Sequence, residues 1–233
     1  MEIFYQPNIK QGYYSLTEDE SRHIIKVLRK NVGDIIKITD GKGKLFNAEI
    51  VEIVKKNVSV NALSFEVKPT GRDYYFHLAV APTKMMDRFE WIVEKCVEIG
   101  IDEISPIICE HSERKVIKNE RLTNIAVSAM KQSGNINLPK INEQQTFNEL
   151  MKNKFEGNLC IAHCYDENKS FYFNEVKEGY NLILIGPEGD FSKSEVETAI
   201  NSAFKPVSLG NSILRVETAA VVACVTTSIK NQK

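Results

Sequence analysis

Two glycine-bearing segments hold the groups best suited to binding a small ligand. The first is residues 186–192, with the sequence GPEGDFS, and the second is residues 209–212, with the sequence LGNS. Each follows a short apolar run that predicts a buried strand, and ligands of open α/β sheets bind beyond the carboxyl ends of the strands. Glycines allow main-chain groups to approach a ligand closely, and Pro187 stiffens the first loop. Neither segment matches a dinucleotide or triphosphate motif, so tight strand-to-helix turns remain the alternative.

Cysteine and histidine lie close together at two places, Cys109-x-His111 and His163-Cys164. These spacings lack the paired C-x₂-C pattern of structural zinc sites, so we expect no metal. His163 ends a predicted strand, where it could lie at the edge of the ligand pocket. The five cysteines, an odd number spread over 233 residues, do not indicate a disulfide framework. Reduced thiols and a cytoplasmic location are therefore expected.

The composition is that of a globular protein, with 42% apolar residues, 26% charged residues and a formal net charge of −1. These values exclude a disordered chain, and the length fits one large domain or one small plus one medium domain. The longest apolar run, residues 219–225, is far shorter than the ~20 residues of a membrane span. The start of the chain has no basic region followed by an apolar stretch, so no signal peptide is expected.

One segment, residues 111–131, is locally basic. A basic bias can attract a phosphate backbone, although a solvated face explains the same pattern. Its cationic side chains are Arg114, Lys115, Lys118, Arg121 and Lys131, against the carboxylates of Glu113 and Glu120.

The first 67 residues predict several strands and one short helix, a pattern typical of a small barrel. Residues 34–40, 44–54 and 58–67 are rich in β-forming residues, with turn-forming residues at 40–43. Thr17 and Glu20 form a T-x-x-E capping box at the start of the helix. Residues 68–71, Lys-Pro-Thr-Gly, predict a linker, so we place the domain boundary there.

The rest of the chain predicts alternating strands and helices, which indicates an α/β domain with a largely parallel sheet. Apolar residues at 89, 92, 93, 96 and 97 form one face of a helix that ends at Gly100. Ser192 and Glu195 form a second capping box. Residues 214–229 predict a long helix that is apolar nearly all round, and such a helix must be buried on several sides.

Two motifs together, IGPEGDFS at 185–192 and VSLGNSILRVETAA at 207–220, resemble the paired signature of the SPOUT-class RNA methyltransferases. They are most similar to the group that methylates N3 of a uridine in small-subunit (16S) ribosomal RNA. The segment HIIKVLR at 23–29, with Gly33-Asp34 and Asp40-Gly41, resembles the PUA-like RNA-binding domain of that group. Further motifs of the group match Lys84, Glu94-Lys95, Glu98-Ile99-Gly100, Gln132-Ser133 and Leu138-Pro139.

The chain departs from the family pattern at several positions. Asn211 and Ser212 follow the glycine where the family often has Pro-Arg. Lys131, Asn135 and Asn137 occupy the region where the family often has Glu before the Gln and Arg after it. Some of those arginines would contact RNA, so these departures bear on RNA binding and not on the cofactor loops.

The resemblance implies a PUA-like β-barrel domain at residues 1–70 and a SPOUT methyltransferase domain at 71–233. The latter is an α/β parallel-sheet domain with a C-terminal trefoil knot, whose loops would bind S-adenosylmethionine. The implied reaction is methylation of uridine N3 in ribosomal RNA, either free or in the small ribosomal subunit. A homodimer is also implied, to which the apolar last helix would contribute. Another RNA target and a non-catalytic RNA-binding protein remain the alternatives.

The resemblance also assigns roles to single residues. Arg215 would contact a substrate phosphate or the target base, or else pair with Glu217 or Glu188. Glu188 would polarise the uridine imide or take its proton if burial raises its pKa, or else cap a helix. The cofactor would receive main-chain hydrogen bonds and an apolar enclosure from eight residues: Ile185, Gly186, Gly189, Leu209, Gly210, Ile213, Leu214 and Thr218. The alternative is that these residues are only turn and core positions.

Thr218 could equally bond to its own helix. RNA contacts are expected from Arg22, His23 and Arg29 in the small domain and from Lys84 and Lys95 in the large domain. A packed histidine and solvated cations are the alternatives at these five positions.

Overall fold

The computed structural model describes residues 2–67, 71–165 and 169–231. Its contacts divide the chain into two compact units, Met1–Gly71 with Val127–Leu138, and Arg72–Ala126 with Pro139–Lys233. Residues 68–70 of the predicted linker lie outside the described residues. The predicted domain limits, 1–70 and 71–233, stay predictions, and the structure groups residues 127–138 with the first unit.

The described residues of the first unit contain five strands and two short helical segments: β1 (Ile3–Tyr5), β2 (Gly12–Ser15), α1 (Glu18–Arg22), a π-helical segment (His23–Leu28), β3 (Ile35–Thr39), β4 (Lys44–Val54) and β5 (Asn57–Val67). The strands form one mixed sheet in the order β1–β3–β4–β5–β2, in which β1 and β3 are parallel. Alternate residues along a strand face the same side, and here they form the core, with Ile36, Ile38, Phe46, Ala48 and Ile50.

Only one of the two hydrogen bonds of the first predicted capping box is present, and the prediction for the Glu20 carboxylate is wrong. Thr17 is the N-cap of α1, as predicted, and its hydroxyl accepts from the Glu20 main-chain N–H at 3.3 Å. The Glu20 carboxylate, however, does not return to Thr17. It is buried, accepts from the Tyr5 N–H at 3.2 Å and pairs with Lys131 Nζ at 2.7 Å. A buried carboxylate requires such partners, so Glu20 joins three separate segments of this unit.

Strands and helices alternate along the rest of the chain, as predicted: β6 (Tyr74–Val80), α2 (Met86–Ile99), β7 (Glu103–Ile108), α3 (Asn119–Ser133), β8 (Lys140–Ile141), β9 (Gln145–Thr146), α4 (Phe147–Met151), β10 (Asn158–Ala162), β11 (Ser170–Phe171), α5 (Tyr172–Glu175), β12 (Gly179–Ile185), α6 (Lys193–Asn201), β13 (Lys205–Ser208) and α7 (Val216–Lys230). The strands pair in parallel in the order β11–β13–β10–β12–β6–β7–β8, and β9 also pairs with β7. This is the predicted parallel-sheet domain.

α2 packs against α7, and α7 also packs against β6 and β12 of this sheet. α2 buries the predicted apolar face and ends at Gly100, whose φ is +111°. α7 buries one face within the chain, whereas its sequence predicted burial on several sides. Val221, Val222 and Val225 on this helix are only half-buried, and Ile229 is 58% exposed. Among the described residues, no helix is long and apolar enough to cross a bilayer.

The carboxyl ends of three neighbouring strands lie side by side. Ala162 of β10 pairs in register with Ile185 of β12 and with Val207 of β13. Because these strands are parallel, the loops that follow them leave the same edge of the sheet. The loop after β12 ends in the predicted capping box. There the Ser192 hydroxyl accepts from the Glu195 N–H at 3.3 Å, and the Glu195 carboxylate accepts from the Ser192 N–H at 2.9 Å.

Candidate active site

A cavity of about 540 Å³ opens at this edge of the sheet, within the second unit. Its walls are the loops after β10, β12 and β13 and the first residues of α7. Gly189 and Thr218 do not line it, and their assignment to the cofactor stays a prediction. The other predicted cofactor and catalytic residues do line it: Ile185, Gly186, Glu188, Leu209, Gly210, Ile213, Leu214 and Arg215.

The loop after β12, residues 186–192, is held by packing and by a carboxylate. A Cβ at Gly186 would lie 3.0 Å from the Phe191 ring, so only glycine fits there without a shift. The Glu188 carboxylate accepts from the Lys84 main-chain N–H at 2.9 Å. Lys84 immediately precedes the N-cap of α2. Glu188 therefore binds the main chain at the start of α2, and not at the start of α6, the helix that follows it in the sequence.

His111 approaches the same loop from the segment that follows β7. Its Nδ1–H donates to the main-chain oxygens of Gly189 and Asp190, at 3.0 and 3.1 Å. A Cβ at Gly189 would lie 3.1 Å from the His111 Cβ. Gly189 therefore permits a close approach of this histidine, outside the cavity wall.

Asp190 ties the loop after β12 to the loop after β10. Its main chain is left-handed, with φ +63°, a conformation that Asp and Asn adopt more readily than other non-glycine residues. Its carboxylate accepts from the Phe191 N–H at 2.8 Å and from the Cys164 N–H at 2.7 Å. The Tyr165 hydroxyl adds a second link, donating to the Phe191 main-chain oxygen at 2.8 Å.

The loop after β13, residues 209–215, has fewer links. The Ser208 hydroxyl donates to the Gly210 oxygen at 2.6 Å and accepts from the Gly210 N–H at 3.2 Å. Gly210 has φ +153°, and a Cβ there would meet no atom within 4 Å. Ile213 is 82% exposed. This wall of the cavity therefore depends on its own short-range bonds and on the strand and helix at its ends.

Arg215 is the N-cap of α7, with an extended main chain. In the described part of the chain its guanidinium forms no hydrogen bond or ion pair. Glu217, one of its predicted partners, lies 3.8 Å from Arg88 Nη1 instead. Glu188, the other, binds the Lys84 N–H. The predicted ion pairs of Arg215 are thus absent among these residues, and its positive charge is available at the cavity.

The loop after β10 is a third wall that the sequence indicated only in part. His163 lines the cavity, as its strand-end position suggested, together with Cys164 and Lys169. Lys169 Nζ donates to the main-chain oxygens of His163 and Tyr165, both at 2.7 Å, which closes this loop on itself. Burial and the nearby Asp190 carboxylate raise the pKa of the Cys164 thiol. Arg88 of α2 is a further lining residue that no sequence motif indicated.

A family model described as an RNA methyltransferase domain matches residues 72–228. The chain belongs to this RNA methyltransferase family. A second family model, an RNA methyltransferase PUA domain, matches residues 16–63. The predicted resemblance to SPOUT-class RNA methyltransferases is confirmed, and so is the predicted fold class, a PUA-like domain followed by a parallel-sheet α/β domain.

Similar proteins cover nearly the whole chain. A ribosomal RNA small subunit methyltransferase E from Buchnera aphidicola subsp. Schizaphis graminum is 30% identical over 224 residues, 93% of this chain and 90% of the relative. The crystal structure of a probable rRNA methyltransferase from Porphyromonas gingivalis is 41% identical, with a TM-score of 0.92 over 99% of this chain and 98% of that chain. A ribosomal RNA small subunit methyltransferase E from Neisseria gonorrhoeae, bound to S-adenosylmethionine, is 26% identical, with a TM-score of 0.83 over 98% of this chain and 97% of that chain.

The predicted RNA contacts of the first unit are partly engaged within it. Arg22 pairs with Asp19 at 3.0 Å, and His23 Nε2 lies 2.5 Å from the Glu2 carboxylate. Arg29 ends the π-helical segment in a left-handed conformation, with φ +53°. Exposed ion pairs of this kind are weak, so they leave these side chains able to change partner. Their role in RNA binding stays a prediction.

The two predicted RNA contacts of the family's methyltransferase domain also have acidic neighbours. Lys84 Nζ pairs with Glu113 at 2.8 Å. Lys95 Nζ lies between Glu94 and Glu98, at 2.7 and 2.9 Å. The charge of Lys95 is therefore offset twice over, and its assignment to RNA stays a prediction.

The departures from the family pattern fall in two places. Asn211 and Ser212 line the cavity, so the expectation that the departures leave the cofactor loops unaffected is wrong for these two residues, because they lie in the wall formed by the loop after β13. Lys131 pairs with the buried Glu20 at 2.7 Å, and Asn137 forms an antiparallel bridge with Lys42. These two residues therefore act within the first unit. Within the described ranges, no three His, Cys, Asp or Glu side chains form a group that could hold a metal ion.

Proposed function

We propose that this chain transfers a methyl group from S-adenosylmethionine to N3 of a uridine in small-subunit ribosomal RNA. One observation carries the proposal: the residues of two loops separated in the sequence line a single cavity of about 540 Å³. Relatives along the whole chain are named ribosomal RNA small subunit methyltransferase E, and one of them was crystallised with S-adenosylmethionine. The choice of uridine N3 rests on the loop motifs that resemble the N3 group.

The residues of the cavity fit S-adenosylmethionine. The volume lies within the range of small-molecule sites, roughly 300–1,000 Å³. Ile185, Val207, Leu209 and Leu214 supply apolar walls for an adenine ring. The carboxylates of Glu188, Asp190 and Glu217 also line the cavity, and their charge suits a ligand that carries a sulfonium and an ammonium group.

When bound, S-adenosylmethionine supplies an electrophilic methyl group. Arg215 then provides the fixed positive charge on the substrate side. The imide of uridine becomes anionic when it loses its proton, and the carbonyl oxygens on either side of N3 share that charge. A guanidinium can donate two hydrogen bonds in a plane to such oxygens or to a phosphate, and Arg215 has no competing partner in the described residues. Its contribution is therefore to orientation and to electrostatic stabilisation.

Glu188 is proposed as a positioning residue. Its carboxylate accepts the Lys84 N–H at 2.9 Å, which holds the loop after β12 against the start of α2. This supports the helix-capping alternative for Glu188 over the role of proton acceptor. Gly186, packed against Phe191, then holds the base of the same loop.

The proposal also includes a trefoil knot in the C-terminal domain, a cytoplasmic location and a homodimer. These three features come from the resemblance to the SPOUT class. For the dimer there is support in α7, whose Val221, Val222, Val225 and Ile229 leave apolar surface uncovered within one chain. A second copy packed on this surface would remove it from water.

The test uses unmodified small-subunit RNA transcribed in vitro, free and assembled with ribosomal proteins. The chain is incubated with methyl-labelled S-adenosylmethionine, and the RNA is digested and mapped by mass spectrometry. We expect 3-methyluridine at one position. A methyl group on another atom or nucleotide would overturn the proposed target, and RNA binding without incorporation would indicate a non-catalytic RNA-binding protein. Calorimetric titration with S-adenosylmethionine tests the cofactor independently of the RNA.

A further inference from the structure

A second, shallower cavity borders the segment between β7 and α3. It has a volume of about 380 Å³ and is lined by Lys84, Glu113, Arg114, Lys115 and Val116. Residues 111–118, with the sequence HSERKVIK, form most of its wall. We call them the 111–118 loop. None of them belongs to a helix or strand.

The 111–118 loop is braced at its start. The Ser112 hydroxyl accepts from the Cys109 N–H at 2.9 Å. The Arg114 guanidinium donates twice to the Lys84 main-chain oxygen, through Nε at 3.2 Å and Nη2 at 2.9 Å. These bonds join the loop to the end of β7 and to the segment that precedes α2.

Gln144 braces the other end of the loop. Its side-chain oxygen accepts from the Ile117 N–H at 2.8 Å, and its side-chain nitrogen donates to the Lys115 oxygen at 3.0 Å. Both ends of one amide are thus used to hold the loop main chain. A loop fixed in this way loses little conformational entropy when it binds a ligand.

The braced loop presents a surplus of positive charge. It contains Arg114, Lys115 and Lys118 against one carboxylate, Glu113, and Glu113 is already paired with Lys84 at 2.8 Å. Lys115 and Lys118 are exposed. Within the described ranges neither side chain forms an ion pair or hydrogen bond.

The 111–118 loop lies directly beside the proposed methyl-transfer site. His111, at its start, donates to the main-chain oxygens of Gly189 and Asp190. Lys84, which lines the second cavity, donates its N–H to Glu188 of the first. The two cavities therefore share a hydrogen-bonded wall, and a strand whose base enters the first cavity passes close to the second.

We propose that the 111–118 loop binds the phosphate backbone of the RNA strand next to the target nucleotide, through Lys115 and Lys118. The inference rests on the proposed function and adds a binding surface to it. Proteins that bind single-stranded nucleic acid place cationic side chains along the path of the phosphate backbone, and Lys115 and Lys118 lie beside a site proposed to take a single base. Contacts of this type fix the register of the strand without reading its sequence.

The test compares Lys115→Ala, Lys118→Ala and the double variant with the wild-type chain. Lys154→Ala is the matched control, because Lys154 is also exposed but precedes β10 and so lies near the amino edge of the sheet. RNA affinity is measured by fluorescence anisotropy at several salt concentrations, with a small-subunit RNA fragment that contains the mapped target. S-adenosylmethionine affinity and the melting temperature are measured in parallel.

We expect RNA affinity to fall about 3- to 10-fold for each single variant and about 10- to 100-fold for the double variant. The slope of log affinity against log salt should lose about 0.7 for each phosphate contact removed. The Lys115→Arg/Lys118→Arg variant, the Lys154→Ala control and the S-adenosylmethionine affinity should stay at wild-type values. In turnover assays, the KM for RNA should rise more than kcat falls.

Unchanged RNA affinity and salt slope in the double variant would overturn the inference, and methyl transfer by the wild type would then leave the proposed function standing. A wild-type chain that binds S-adenosylmethionine but no RNA would overturn both. Equal competition by polyglutamate would indicate a general anion surface, and that result would also overturn the assignment to RNA.

Discussion

The two glycine-bearing loops of the cavity differ in how the folded chain holds them. The loop after β12 is linked to α2 through Glu188, to the segment after β7 through His111 and to the loop after β10 through Asp190. The loop after β13 has the short-range bonds of Ser208 and Gly210 and an Ile213 that is 82% exposed. Hydrogen bonds to other segments therefore hold the first loop, whereas the bonds described for the second are short-range.

Because of this difference, we expect substitutions in the two loops to affect different quantities, stability for one loop and binding for the other. A change in the loop after β12 removes contacts that exist in the free chain, so it should lower the free energy of unfolding. A change in the loop after β13 affects residues that line the cavity and have few described links to other segments, so it should lower affinity or rate. Four variants test that separation, and we describe them from the largest expected effect to the smallest.

Gly210→Val should weaken S-adenosylmethionine binding at least about 100-fold, because positive φ strains a β-branched residue by about 1–3 kcal/mol and the new side chain enters the cavity. The Cβ itself meets no atom within 4 Å, so the backbone strain of about 1–3 kcal/mol is the only loss of stability expected, and the chain should stay folded. Calorimetry and thermal melts give the two values. Gly179→Val, at φ +83° in equally open space at the start of β12, is the control and should bind normally. If Gly210→Val binds S-adenosylmethionine with wild-type affinity, the assignment of this loop to the cofactor site is wrong.

Arg215→Ala should lower kcat for methyl transfer about 10- to 100-fold, since it removes a charge that stabilises the reacting imide. Affinity for S-adenosylmethionine should stay within about threefold, because the guanidinium is proposed to act on the RNA. Arg215→Lys keeps the charge without the planar guanidinium, so its kcat should lie between those of the wild type and Arg215→Ala. Steady-state kinetics decide the matter. Equal kcat in all three chains would make Arg215 a purely structural N-cap of α7.

Gly186→Ala should destabilise the fold by about 1–3 kcal/mol, because an extra methyl group in a tight site forces its neighbours to move. The neighbours are the Phe191 ring at 3.0 Å and the Phe191 N at 3.1 Å. Denaturant unfolding measures the free energy. Adding Phe191→Leu should recover part of the loss relative to Phe191→Leu alone, which a double-mutant cycle quantifies. A simple sum of the two single effects would contradict the contact.

Asp190→Ala should lower the free energy of unfolding by about 1–2 kcal/mol in denaturant unfolding, because the Phe191 and Cys164 N–H groups lose their acceptor. Asp190→Asn tolerates the left-handed backbone and keeps one of the two acceptor oxygens, so it should lose about half as much stability. Hydrogen exchange of the Cys164 amide should accelerate in Asp190→Ala relative to the wild type, because its acceptor is lost. A Cys164 amide that exchanges at the wild-type rate in Asp190→Ala would contradict the link to the loop after β10.

Local patterns predicted the elements around the site well. The apolar face of α2, with Phe89, Ile92 and Cys96, repeats at helical spacing, and each of these residues is buried. The Ser192–Glu195 capping box forms as predicted, because both of its bonds close within four residues. Such features depend on neighbours in the sequence, and the sequence displays them directly.

Features that depend on distant partners escaped prediction. The Glu20 carboxylate binds residues 15 and 111 positions away, so the pattern T-x-x-E could not reveal its partners. Lys169 and Cys164 were missed as cavity residues because β10 lies between β12 and β13 in the sheet, although it precedes both in the chain. Arg88 reaches the cavity from α2, where nothing in the helical pattern sets it apart from a solvated arginine.

The distribution of the cysteines gives this protein a ready-made reporter. Four of the five thiols are buried, and Cys164 is exposed on the cavity wall. A maleimide dye would therefore attach at one position without any change to the chain, and a bound ligand would shield that position from the dye. Partial burial of the sulfur and the Asp190 carboxylate raise the pKa of this thiol, so the labelling reaction would run faster in alkaline buffer. The fraction of chains that hold a ligand could then be measured from the decrease in the labelling rate.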